Sequence, residues 1–116
     1  MPDSLADLAQ QLDQFAQARD WQQFHSPKNL ASALIVEAGE LLEHFQWLTE
    51  EQSRSLSPEK RDAVADEVAD VLLYLIQLAG AVGIDPVAAA QAKLKRNAQR
   101  YPVDRARGSS AKHDQL

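Results

Sequence analysis

SPEKRDAVADEVADVLLYLIQLAGAVG, residues 57–83, carries most of the information about the fold. It opens with Ser-Pro, a capping residue before a proline at the first helical position, where the missing N–H is not needed and φ is already helical. It closes at Gly83, the residue type that most readily takes the left-handed conformation ending a helix. The spacing predicts one helix from Pro58 to about Val82. From Val71 to Ile84 this helix is apolar nearly all the way round, more than one layer of neighbours in a monomer would cover. A homo-oligomer, dimer or tetramer, is therefore expected. The same run is interrupted by Gln77 and falls short of the roughly 18 apolar residues that mark a bilayer span, so a buried helix and no membrane partner are expected.

Working outward, the same device recurs on both sides. Ser26-Pro27 opens a helix running to about Leu48, and Asp85-Pro86 opens one reaching about Tyr101, where Pro102 follows. Ser4 followed three residues later by Asp7 resembles a capping box for a helix from Leu5 to about Arg19, with Leu5, Leu8, Leu12, Phe15 and Ala16 on one face. No alternating strand pattern and no internal repeat are present. The expected fold is all-α and four-helix bundle-like, with one domain over residues 1–103 and an irregular basic tail over 104–116.

A chain of 116 residues with 45% hydrophobic content can build one core without staples. The absence of cysteine excludes disulfides and thiolate metal sites, so Asp, Glu or His would have to hold any metal. Together with an N-terminus, MPDSLADLAQQLDQ, that has neither a basic nor an apolar leader segment, this predicts a cytoplasmic protein. A net charge of −5 argues against binding a nucleic acid polymer, whose affinity comes mainly from Lys and Arg on phosphates. Seven of the twelve basic residues nevertheless cluster late, at Lys93, Lys95, Arg96, Arg100, Arg105, Arg107 and Lys112. They suit either the phosphates of a small ligand or the negative end of a helix dipole.

The acidic residues point to chemistry. Glu37 and Glu40 lie in one predicted helix, Glu67 and Asp70 in another, each pair spaced i, i+3 and so on one face, about 5 to 6 Å apart at Cβ. With about 100° of rotation per residue, Leu30, Leu34, Leu41, Phe45 and Leu48 fall roughly 20° to 80° from Glu37, and Val64, Val71, Leu75 and Leu78 fall similarly around Glu67. Both pairs thus sit at the rim of an apolar face. Antiparallel packing along those faces would bring four acids to one cleft, a costly arrangement that a divalent cation relieves. The all-oxygen set suits Mg²⁺, with Mn²⁺ as a substitute. Ordinary solvated acids on amphipathic helices are the alternative. A di-iron bundle would want Glu-x-x-His on two helices, whereas His44 follows Glu40 by four and the second acidic helix has no histidine.

Glu37-x-x-Glu40, then 26 intervening residues, then Glu67-x-x-Asp70 resembles the signature of the MazG-like, all-α nucleoside triphosphate pyrophosphohydrolases. RDWQQFHSPKNL at 19–30, EAGELLEHFQW at 37–47, DEVADVLLYL at 66–75 and KLKRNAQRYPV at 93–103 are similar to the dCTP pyrophosphatase branch of that family, over about residues 5–113. The resemblance implies that Glu37, Glu40, Glu67 and Asp70 hold Mg²⁺ around a triphosphate. It also implies that Trp21, Gln22, Gln23, Phe24 and His25 contact the nucleotide, with Trp47 and Tyr74 completing an aromatic pocket in which a base can stack. Core packing is the alternative for the two tryptophans. Lys93, Asn97 and Arg100 resemble phosphate-side positions. Leu12 departs from relatives that carry a polar, substrate-contacting side chain there, which bears on base selectivity.

The implied reaction takes a dNTP, dCTP or a modified dCTP, and water to dNMP and pyrophosphate, a nucleotide-pool sanitation activity. Glu40 is the first candidate for general base and Glu37 the second, with Lys93 and Arg100 stabilising the departing pyrophosphate. Two alternatives are the same chemistry on dUTP or a non-standard nucleotide, and a non-catalytic helical interaction protein.

Overall fold

The computed structural model describes residues 4–115, which contain helices and turns and no strand. They divide into two compact units between Gly83 and Ile84. The first unit contains α1 (Leu5–Ala18), a 3₁₀ turn at Gln22–Phe24, α2 (Pro27–Glu43), the single turn α3 (Glu50–Ser53) and α4 (Pro58–Ala81). The second contains α5 (Pro86–Arg100), the short α6 (Val103–Ala106) and a 3₁₀ turn at His113–Gln115.

Each start signal is realised as a hydrogen bond that satisfies an otherwise orphaned backbone donor. The hydroxyls of Ser4, Ser26 and Ser57 accept from the backbone N–H of Asp7, Asn29 and Lys60 at 3.0, 3.1 and 3.2 Å. The Asp85 carboxylate accepts from Val87 and Ala88. Gly83, at φ +73°, ends α4 in the left-handed conformation expected of it. At the end of α1 the same role falls to Asp20, at φ 54°, and the Trp21 N–H returns to the Ala16 carbonyl at 2.9 Å.

The helix expected to run to about Leu48 stops at Glu43 instead. Its backbone bonds tighten to i, i+3 at His44 and Phe45, and Thr49 then caps α3 by a reciprocal pair with Gln52. Thr49, at φ −72° and ψ 164°, has the extended backbone that a capping residue needs. In the stretch read as an irregular tail, α6 starts directly after Pro102, and the Tyr101 and His113 rings meet edge to face at 5.9 Å.

In the first unit α4 packs against α2 and α1. Among the described residues its buried apolar side chains are Ala16, Leu30, Ile76 and Ala79, drawn from all three helices. The α2–α4 pair runs antiparallel, since Glu37 meets Asp70 midway along both helices while His44, just past the end of α2, meets Lys60 at the start of α4. Phe15, expected on the buried face of α1, is half exposed; Trp21 meets it edge to face at 5.7 Å and the Arg19 guanidinium lies 3.5 Å from its ring centre. Leu75, expected beside Glu67 on the packed face of α4, is also exposed. Among the described residues no single helix is long and apolar enough to cross a membrane.

Candidate metal and nucleotide site

The antiparallel α2–α4 pair brings together acids that the sequence keeps about thirty residues apart. One carboxylate oxygen from each of Glu37, Glu67 and Asp70 lies within 4.8 Å of the other two, and all three side chains are half-buried. Oε2 of Glu37 and Oε2 of Glu67 are buried without a hydrogen-bond partner. Buried acceptors without donors are expensive, and converging carboxylates add mutual repulsion. The Glu37 carboxyl is pushed up to about 7, first by a shared hydrogen bond with Glu40, then by burial, then by the charges of Glu40, Asp70 and Glu67. In the metal-free protein a proton thus supplies part of the positive charge that this cluster requires. Two unpartnered oxygens in an all-carboxylate set fit a hard divalent cation. Glu40 lies one helical turn from Glu37 and bonded to it, but is not among the three acids that converge.

Beyond Glu67 lie two groups that the pattern of acids did not single out for this site. His44 Nε2 is 3.9 Å from Glu67 Oε1, and Lys60 Nζ is 3.5 Å from His44 Nδ1. The available signal was the position of His44 one turn beyond Glu40.

A cavity of about 390 Å³ opens between α1, the Gln22–Phe24 turn and the C-terminal half of α4. Leu12, Gln22 and His25 line it, together with Asp13, Leu30 and Gln77. Gln22 Nε2 donates to Asp13 Oδ1 at 2.6 Å and Gln17 Nε2 to Asp13 Oδ2 at 3.0 Å, so a carboxylate stands fixed at this cavity. Of the expected nucleotide contacts, Gln22 and His25 are brought to the cavity, whereas Trp21, Gln23, Phe24, Trp47 and Tyr74 do not line it. Trp47 is 87% exposed, which rules out core packing for it within this chain. Trp21, also exposed, packs on Phe15. Lys93, Asn97 and Arg100 lie on α5 in the second unit, Asn97 half-buried and the other two exposed.

A model of the MazG-like family matches residues 33–116. The chain belongs to the MazG-like family. Within it, this MazG-like protein stands with the mammalian dCTP pyrophosphatases. It is 44% identical over 115 residues to dCTP pyrophosphatase 1 of Mus musculus and 43% identical to that of Homo sapiens, covering 97% of this chain and 68% of each relative. Among solved structures, a pyrophosphatase from Archaeoglobus fulgidus superposes with a TM-score of 0.79 at 36% identity, over 84% of this chain and 91% of that one. These relatives set the reaction class of this MazG-like protein as that of a nucleoside triphosphate diphosphatase, an all-helical hydrolase of phosphoric anhydrides.

Proposed function

We propose that this MazG-like protein hydrolyses dCTP, or a dCTP modified on the base, to the monophosphate and pyrophosphate, with Mg²⁺ held by Glu37, Glu67 and Asp70 and with Glu40 alongside. The convergence of three carboxylates within 4.8 Å, two of them with a buried oxygen lacking any partner, carries this reading. Mg²⁺, or Mn²⁺ in its place, held by these acids would supply charge neutralisation for a triphosphate and would lower the pKa of a water nucleophile.

The chain's own groups supply the rest. Glu40, outside the convergent three and one turn along α2 from Glu37, is the carboxylate free to take the proton of the attacking water. Glu37, on the same face of α2, is the second candidate. Gln22 and His25 contact the nucleotide from the cavity, where the Asp13 carboxylate offers acceptors to a base amino group. The resemblance assigns Trp21, Gln23, Phe24, Trp47 and Tyr74 to the nucleotide as well, although none of them lines the cavity. The resemblance assigns Lys93, Asn97 and Arg100 to the phosphates.

A homo-oligomer belongs to the same proposal. Val68, Leu72 and Leu75 form an exposed i, i+4, i+7 stripe on α4, while Ile35 and Leu42, seven residues apart, face outward on α2. Contiguous apolar surface of this kind favours self-association.

Turnover of dCTP by variants at the acids tests the proposal. Glu40→Gln and Glu67→Gln should each lose activity by orders of magnitude while keeping native helical circular dichroism. Full activity in either variant would overturn the assignment of that residue, and full activity in both would overturn the site.

A further inference from the structure

Glu67 has two unlike neighbours. Its Oε2 is buried with no hydrogen-bond partner, whereas its Oε1 faces His44 Nε2 at 3.9 Å. On the far side of the imidazole, Lys60 Nζ lies 3.5 Å from Nδ1. An ammonium group has donors and no acceptor, so Nδ1 must be the accepting nitrogen and the ring proton of a neutral imidazole sits on Nε2, towards Glu67. His44 follows directly after α2 and Lys60 lies in the first turn of α4, so the link joins both helices that carry the acids. The side chains of His44 and Glu67 are only 23% and 20% exposed, which limits competition from water. The 3.9 Å separation is longer than a hydrogen bond, and the broad terminal torsion of a glutamate allows it to close.

We propose that His44, oriented by Lys60, is a positioning residue for Glu67: it holds Oε1, so that Oε2 is the oxygen presented to the divalent cation. An imidazole N–H orients the carboxylate without cancelling its charge, as a lysine paired directly with it would. Groups that orient metal-binding side chains in this way typically contribute about 10- to 100-fold to metal affinity. The inference rests on the carboxylate cluster being the metal site, and the experiment separates the two.

The probe is Mn²⁺ alone, titrated calorimetrically into the full chain without nucleotide. His44→Leu should weaken Mn²⁺ binding by about 10-fold or more. His44→Gln, whose amide places a donor near the position of Nε2, should restore most of the loss, which a merely structural role would not predict. Lys60→Met should weaken binding less, and His44→Leu combined with Lys60→Met should bind no more weakly than His44→Leu alone, because Lys60 acts through the ring. If His44→Leu does not fold, Lys60→Met and His44→Gln carry the comparison, the first weaker than native and the second near it. Native affinity in His44→Leu, or additive losses in the double variant, would overturn the inference. Glu67→Gln is the control: loss there with none in His44→Leu sinks the positioning role and leaves the metal site standing. Native binding in Glu67→Gln, or no binding by the native chain, sinks both.

Discussion

Glu37 shares a hydrogen bond with Glu40, one turn further along α2, and this bond does more than burial or the neighbouring charges to raise the Glu37 carboxyl to about 7. Its ordinary value is 4.5, so between the two the folded chain holds a proton that the unfolded chain has released. The resulting stability is fully present below about 4.5, declines as the pH rises and is lost above about 7. In EDTA the melting temperature should therefore fall as the pH is raised from about 5 to about 8, and Glu37→Gln, which cannot ionise, should show a shallower fall. Mg²⁺, replacing that proton, should raise the melting temperature more at the upper end of this range. Equal slopes for native and Glu37→Gln would contradict the reading.

Trp47 stands almost free of its own chain, at 87% exposure. Trp47→Ala should change the stability of the isolated fold by no more than about 0.5 kcal/mol. If the indole stacks on a base, the KM for dCTP should rise on the order of 10-fold, as expected for a stacking contribution of about 1 to 3 kcal/mol. A large loss of stability with an unchanged KM would instead make Trp47 a packing residue.

Leu30, from α2, is 2% exposed and also lines the 390 Å³ cavity. Leu30→Ala should cost about 2 to 4 kcal/mol in urea unfolding, towards the lower end of the range for buried leucines if the cavity relaxes. A change below about 0.5 kcal/mol, the level of surface substitutions, would mean that the α1–α2–α4 core does not govern stability.

The exposed stripe of Val68, Leu72 and Leu75 predicts a solution mass by light scattering that is a multiple of 12.8 kDa. Leu72→Glu places a charge at the centre of the stripe and should shift the mass downwards. A native chain that scatters as a monomer at micromolar concentration would remove the case for self-association.

Much of this was legible in the sequence because it depends on local rules. Ser26-Pro27, Ser57-Pro58 and Asp85-Pro86 start helices within the chain where a capping side chain and a proline at N1 require them to. The i, i+3 acids at the rims of two apolar faces foretold that Glu37, Glu67 and Asp70 would meet. What escaped depends on competition or on tertiary contact. The end of α2 lies earlier than the apolar pattern implies, because that pattern continues to Leu48 while the backbone bonds already tighten to i, i+3 at His44 and Phe45. His44 reaches Glu67 and Lys60 only through the antiparallel register, which a single-helix projection cannot supply. Asp13 became notable only when the left-handed turn at Asp20 brought Gln22 back against α1.

The most direct test of the account is product analysis after incubating the chain with each dNTP in Mg²⁺ and in EDTA, scoring pyrophosphate against inorganic phosphate. The account predicts pyrophosphate and monophosphate in Mg²⁺ only, with dCTP or a modified dCTP turned over fastest. Release of inorganic phosphate, or undiminished turnover in EDTA, would contradict it.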